Sequence, residues 1–339
     1  MTQPGARVPV LSIRGLTTTF PGAQRPIVIV DDISLAVHRG ETLAVVGESG
    51  SGKTMTFHSA IGLVPKPGRV ERGEVLLDGV DLMKLPPEEF RRRRGAEIAM
   101  VFQDPLTALN PVFTIGDQVI EVLRAHLALS RSAARKRTIE ILARVQIPDP
   151  HRRIDDYPYQ FSGGMRQRAL IAMAIALGPK VLIADEPTTA LDVTVQAQVL
   201  ELLGELKRET GMGLVLITHD LGVVARHADR VAVLYAGRVM EQGTAARIFE
   251  TPRHPYTVSL FRSIPHLDSV AGQDLMPIEG MPPSPASLPA GCAFEPRCFV
   301  GRGEEDCMAK RPTLEEVGRD DHLTRCWRWR ALQPASESA

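Results

Sequence analysis

The chain has 339 residues, 44% of them hydrophobic, enough for about two domains with sizeable cores. Forty basic and forty acidic side chains cancel, so no positive excess marks nucleic acid as the main partner. No stretch approaches 18 uncharged apolar residues and the N-terminus lacks a signal peptide's apolar segment, so a cytosolic location is expected.

Residues 9–20 predict a strand ending at Phe20-Pro21-Gly22, and Val28 to Val37 a second one with a charged turn at Asp31 and Asp32. The apolar run Leu43 to Val46 stops abruptly at Gly47. Gly47-Glu48-Ser49-Gly50-Ser51-Gly52-Lys53-Thr54 then has the G-x-x-x-x-G-K-[ST] spacing of a phosphate-cradling P-loop. Glycines let backbone N–H groups face phosphate oxygens, and the helix that follows turns its positive end to the same charge. Lys53 is placed to add a point charge at the β- and γ-phosphates, and the Thr54 hydroxyl to hold Mg2+. The competing reading is a flexible Gly/Ser loop. The buried strand before it and the helix-compatible stretch after it favour the P-loop.

Gly73 to Gly79 reads as a short edge strand and turn, and Ile98 to Phe102 as a buried strand bounded by Gln103-Asp104-Pro105. Residues 105–178 change character. Ile115, Val119, Val122, Leu123 and Leu127 recur at helical spacing, and Ser130 is placed to cap a second helix running to about Val145. A third helix opens at Ser162-Gly163-Gly164, which makes this region a helical insertion in an α/β core. The core resumes with the continuous apolar run Val181 to Asp185, suited to a buried parallel strand. A helix over Val193–Glu209, a strand over Leu214–Thr218 and a hairpin around Ala236-Gly237 complete it. After Thr251 prolines become dense up to Pro289, as in a linker leading to a small domain that holds all four cysteines.

Asp185-Glu186 ends a buried strand. Next to a P-loop, such an Asp holds Mg2+ and the following Glu orients or deprotonates an attacking water; the alternative is an acidic strand cap. Ser162-Gly163-Gly164 is a second helix N-terminus able to face an anion, or a plain N-cap. Gln103 and His219 each follow a buried strand, where ligands sit in parallel sheets, or are merely polar strand ends.

Taken in order, these elements resemble the ATP-binding cassette (ABC) ATPases. The match comprises the P-loop, Gln103 of the Q-loop, the signature Phe161-Ser-Gly-Gly-Met165, the Walker B run 181–186, the D-loop Thr189–Asp192 and the switch His219. Phe161 and Met165 depart from the common Leu-Ser-Gly-Gly-Gln, which leaves the Ser162 hydroxyl and the glycine amides as donors. The resemblance implies an α/β P-loop fold: a RecA-like core with an antiparallel β edge and a helical subdomain at about 105–178, within residues 1–255. A small cysteine-containing domain at 256–339 would follow. It implies ATP contacts from Phe20 (stacking on adenine, unless it is a core residue), Gly47, Glu48, Ser49, Gly50, Ser51, Gly52, Lys53, Thr54, Gln103, Ser162, Gly163, Gly164 and Asp185. Mg2+ would be held by Thr54, Gln103 and Asp185. Glu186 would be the catalytic base, His219 would support the γ-phosphate, and Gln103 would link the site to the helical subdomain. One P-loop and one signature imply a partner chain, because the family sandwiches ATP head to tail between two cassettes.

The variant Gln160–Arg168, the motifs His254-Pro-Tyr-Thr257 and Ser263-Ile-Pro265, and Gly291-Cys-Ala-Phe-Glu-Pro-Arg-Cys298 are similar to the dipeptide/oligopeptide (and nickel) importer ATPase subunits. That narrower resemblance implies peptide import through two transmembrane permease subunits. A second, paralogous ATPase would form a heterodimer with this chain, and an extracytoplasmic solute-binding protein would deliver the solute. The chain would then sit at the cytoplasmic face of the inner membrane. Nickel or another small solute remains an alternative cargo. A soluble ATPase acting on nucleic acid or ribosomes, and a regulatory cassette without turnover, are the rival classes.

Cys292, Cys298, Cys307 and Cys326 are spaced x5, x8 and x18, without the C-x2-C knuckle of ordinary zinc sites. Clustered cysteines in a cytosolic chain favour metal over disulfides. The similar importers' tails imply a [4Fe–4S] cluster on these four residues; zinc and plain reduced thiols stay open. Arg91–Arg94 reads as a solvated helix face, and Trp327 and Trp329 as packing around the cysteines.

Overall fold

The computed structural model describes residues 8–189, 191–263, 278–318 and 321–332. Ala190 of the D-loop and Ile264 and Pro265 of the Ser263–Pro265 motif lie outside the described residues. In chain order come strands β1 (Leu11–Phe20), β2 (Ile27–Val37) and β3 (Thr42–Val46), helix α1 (Lys53–Ala60), and strands β4 (Arg69–Leu77) and β5 (Val80–Asp81). Helix α2 (Pro87–Arg93) and strand β6 (Ile98–Val101) precede a run of helices: α3 (Pro105–Ala108), α4 (Ile115–His126), α5 (Arg131–Arg144), α6 (Pro150–Arg153) and α7 (Gly163–Ile175). Next are β7 (Val181–Asp185), α8 (Val193–Thr210), β8 (Gly213–Ile217), α9 (Leu221–His227) and the pair β9 (Arg230–Tyr235) and β10 (Arg238–Thr244). Helices α10 (Ala245–Glu250), α11 (Pro255–Arg262) and α12 (Glu305–Ala309) and strands β11 (Glu315–Glu316) and β12 (Leu323–Thr324) follow.

The described residues fall into two compact units. The first holds residues up to 12, 36–42 and 76–217. Its sheet runs in the order β6-β7-β8, all parallel, with Val181 opposite Ile98 and Asp185 opposite Ile217. Every residue of β7 and β8 is buried, as a strand covered on both faces requires. The helical insertion begins and ends close to where the sequence places it. Thr114 caps α4 by accepting from the Asp117 amide, and Ser130 caps α5 by accepting from Ala133. On α2, Arg91 and Arg92 are exposed, as a solvated face requires, and Arg91 pairs with Glu88; Arg93, paired with Glu89, and Arg94 are half-buried.

The second unit holds residues 13–35, 43–75 and 218 onward. Strand β3 runs parallel to β9, which turns back antiparallel into β10; β12 then pairs with β10, and β11 with β12. Strands β2, β1 and β4 form a separate sheet in that order. Two expectations are corrected here. Strand β2 continues through Asp31 and Asp32: the left-handed Asp32 (φ +58°) bends the strand without ending it, the Asp31 carboxylate accepts from Arg238 Nε at 3.0 Å and its amide donates to the Gly237 carbonyl at 2.8 Å. Nor does the cysteine-bearing region form a unit of its own. Cys292, Ala293, Phe294 and Cys298 pack with Val46, Val233, Tyr235 and Tyr256 in one hydrophobic core. Among the described residues no helix is long and apolar enough to cross a membrane.

Candidate active site

In the second unit, the apolar side chains of β3 are buried and the strand delivers the chain to Gly47. That residue has φ +148°, and a Cβ there would lie 2.1 Å from the Leu234 carbonyl oxygen, so only glycine fits. The loop closes onto α1, whose N-cap Gly52 offers no side-chain acceptor and whose first turn carries no acidic residue. Among the described α-helices of eight or more residues, the other N-termini are all capped by a side chain. An N-terminus without a side-chain cap is the kind of helix end that can receive an anion. Lys53 is buried, and its Nζ donates to the carbonyls of Gly47 at 2.8 Å and Glu48 at 3.1 Å, which folds the cation back over the loop. The buried Ser51 hydroxyl finds no hydrogen-bond partner among the described residues. An orphan of this kind suits a loop that awaits a ligand oxygen. His219 is exposed at the loop after β8; the neighbouring Thr218 amide donates to the Val45 carbonyl at 3.2 Å, which ties that loop to the strand feeding the P-loop.

In the first unit, Asp185 is buried at the C-terminal end of β7 and Glu186 follows with φ +44°. A left-handed residue directly before Pro187 is held against its preference, and such strain collects at functional sites. The Glu186 amide donates to the Ile217 carbonyl at 2.9 Å. Its Oε2 accepts from Gln103 Nε2 and from Thr189 Oγ1, each at 2.9 Å. Gln103 and Glu186, 83 positions apart, are thus joined directly. Ser162 caps α7 by accepting from the Met165 amide, and Ser162 and Gly163 are exposed. Gly164 is needed for approach, because a Cβ there would meet Val195 Cγ1 of α8 at 2.5 Å. Phe161 is buried as an apolar anchor for the helix start.

Phe20 is half-buried in the second unit, its ring against Gly68, and lines a cavity of about 290 Å³ with Thr19, Pro21, Arg25, Pro67 and Arg69. The four cysteines are free thiols around a second, small cavity of about 10 Å³, shared with His254, Phe294 and Trp327. Burial pushes Cys292 up to about 11 and Cys326 up to about 12, and raises Cys298 and Cys307 as well. The Gly301 amide donates to Cys298 Sγ at 3.2 Å. Among the described residues, no three His, Cys, Asp or Glu side chains form a site for a single metal ion.

Two residues near the P-loop escaped the sequence reading. The Glu48 amide donates to the Tyr256 hydroxyl at 2.8 Å, and Arg297 grips the Glu48 carboxylate with two bonds of 2.7 and 3.0 Å. Both residues sit in motifs quoted above, His254–Thr257 and Gly291–Cys298. No spacing rule connects them to a loop more than 200 residues earlier.

Residues 30–189 match the family described as ABC transporter, and residues 240–307 match the oligopeptide/dipeptide transporter, C-terminal region. The chain is 50% identical over 338 residues to a putative peptide import ATP-binding protein of Brucella ovis, covering 96% of this chain and 99% of that one. It is 49% identical over 319 residues to the dipeptide transport ATP-binding protein DppD of Bacillus subtilis, covering 94% of each. Among solved structures it is similar to a post-hydrolysis dimer of the ATP-binding cassette MJ0796 bound to ADP and Pi. The identity is 30% and the TM-score 0.62, over 69% of this chain and 98% of that one.

Proposed function

Because this chain belongs to the ATP-binding subunits of ABC transporters, we propose that it hydrolyses ATP to energise import of di- or oligopeptides through a membrane permease. One conjunction carries the reading: a P-loop opening on an uncapped helix and a carboxylate held at a strand end, in a chain half identical to a peptide-import subunit over nearly its whole length.

Each residue then has a task. The loop amides of Gly47–Thr54 and the Lys53 ammonium take the phosphates. Glu186 orients and deprotonates the attacking water, with Gln103 and Thr189 fixing its carboxylate. His219 supports the γ-phosphate, and Phe20 stacks on adenine. Thr54 and, in the other unit, Asp185 and Gln103 carry hard oxygen donors of the kind Mg2+ takes, and the ion would neutralise charge building on the phosphates. Ser162 and Gly163, exposed at the start of α7, serve with Gly164 the ATP bound to a second ATPase subunit, for which a paralogue is the preferred partner. Two permease subunits anchor the pair at the cytoplasmic face of the membrane, and a solute-binding protein supplies the peptide. Residues 1–255 carry the ATPase motifs and 256–339 form an accessory region.

The cysteines support a finer reading, a thiolate-held [4Fe–4S] cluster on Cys292, Cys298, Cys307 and Cys326. Three buried thiols and the half-buried Cys326 around one cavity, with an amide donating to sulfur, fit its donor chemistry. A cavity of about 10 Å³ has room for little more than one water, so the four cysteines as they stand would have to spread to hold the group. Such a cluster supplies structural cross-linking or electron storage when bound.

Purifying the tagged chain from detergent-solubilised membranes should bring down two multi-span proteins and a second ATPase. The reconstituted complex should take up labelled dipeptide only with ATP. Recovery of RNA or DNA in place of permeases would sink the transport reading, and nickel uptake without peptide uptake would sink the peptide assignment. Iron and acid-labile sulfide should accompany the anaerobically prepared chain; absence of both removes the cluster.

A further inference from the structure

Glu48 is an odd residue to find in a loop that receives phosphates, because its carboxylate carries the same charge as the ligand. All three of its polar groups are engaged. The amide donates to Tyr256 Oη at 2.8 Å, the carbonyl accepts from Lys53 Nζ at 3.1 Å, and the carboxylate accepts two bonds from Arg297 at 2.7 and 3.0 Å. The loop lysine therefore rests on the same residue that Arg297 and Tyr256 hold.

Arg297 is built for this place. Its side chain is only 5% exposed. Its five N–H donors are all used: Nε on the Glu279 carbonyl, Nη1 on Glu48 and the Tyr235 hydroxyl, Nη2 on Glu48 and the Ile278 carbonyl. Its guanidinium also lies 5.8 Å from the Tyr235 ring centroid. Tyr235, Tyr256 and Phe294 pack as a trio with centroids 4.6 to 5.4 Å apart, so the hydroxyl of Tyr256 has little freedom. Beside Arg297 in the chain, Cys298 lines the thiol cavity together with His254, two residues before Tyr256.

We propose that Arg297 and Tyr256 are positioning residues of the nucleotide site: they neutralise and immobilise Glu48 so that the loop, with Lys53 resting on it, keeps the shape that receives the phosphates. The proposal rests on reading Gly47–Thr54 as a phosphate loop. Its physical content is an asymmetry. Glu48 is partly exposed, but Arg297 is not, and removing one partner of such a pair leaves an uncompensated charge whereas replacing both is nearly neutral. Arg297→Gln leaves the Glu48 carboxylate without its countercharge in the loop that receives the phosphates, and Glu48→Gln in that background takes the repulsion away.

The test measures ADP affinity of the full-length chain by calorimetry, with KM and kcat for ATP in parallel. Arg297→Gln should weaken ADP by about tenfold, the equivalent of ~1.4 kcal/mol, and raise KM more than it lowers kcat. Glu48→Gln on top of it should restore affinity to within about threefold of wild type. Arg297→Lys, which keeps the charge and loses the fork, should fall between them, and it serves if Arg297→Gln does not fold. Tyr256→Phe should weaken ADP by about threefold without rescue from Glu48→Gln, since it acts on the amide. Wild-type protein that bound no ADP would refute the phosphate-loop reading itself. Wild-type binding with unchanged affinity in Arg297→Gln, or a double variant no better than Arg297→Gln, would overturn this inference alone.

Discussion

Replacing Glu186 with Gln isolates the chemical step. The side chain keeps its length and an acceptor oxygen where Gln103 Nε2 and Thr189 Oγ1 each donate at 2.9 Å. Both bonds can therefore form, and only their charge-assisted part is lost, about 1 kcal/mol per bond at most. The fold should hold, with stability lowered by roughly 1–2 kcal/mol. A positioned general base contributes about 10²–10⁴ in rate, so phosphate release should fall by at least a hundredfold while ATP binding stays within a few-fold of wild type. The assay is phosphate release at saturating ATP beside direct titration of ATP. Release within about threefold of wild type, with binding intact, would show that another group activates the water.

Gly47→Ala places a Cβ 2.1 Å from the Leu234 carbonyl oxygen and 2.8 Å from Ser51 Oγ at φ +148°, so ADP affinity should drop more than tenfold, with about 2 kcal/mol of stability lost. Near-normal ADP titration would contradict that packing. Ser162→Ala removes the cap of α7 and should lower the unfolding free energy by about 1 kcal/mol, while Ser162→Thr should keep it; equal denaturation midpoints for the two would deny the cap's role. His254 is buried, and desolvation pushes it down to about 3 from an ordinary value of 6.5. Between those values the unfolded chain holds a proton that the folded chain refuses. Stability should therefore fall as pH drops through that window, by up to about 1.4 kcal/mol per pH unit. Urea titrations at pH 7 and pH 5 measure the slope, and His254→Gln should flatten it.

Much of the site was legible in the chain because its chemistry is local. A P-loop needs its glycines, lysine and threonine within eight consecutive positions, and β7 delivers Asp185 and Glu186 as neighbours. The caps Thr114, Ser130 and Ser162 act on amides three residues away, within the reach of a sequence pattern. Helices α9 and α10 and the start of α11 were not anticipated, since they are short and depend on tertiary packing more than on periodicity. The charged pair Asp31-Asp32 looked like a turn because its partner Arg238 lies 207 positions later.

By itself, then, the order of residues determined the phosphate loop, the acid at the end of β7, the helical insertion and the membership of the chain in its family. The tertiary structure alone decided that Gln103 holds Glu186, that four scattered cysteines share one cavity, and that Arg297 and Tyr256 reach back to Glu48. The reason is physical. Motifs that touch one ligand through consecutive amides are written in consecutive residues. An ion pair between positions 48 and 297 depends on burial and on the packing of Tyr235, Tyr256 and Phe294 between them, and no local spacing encodes that.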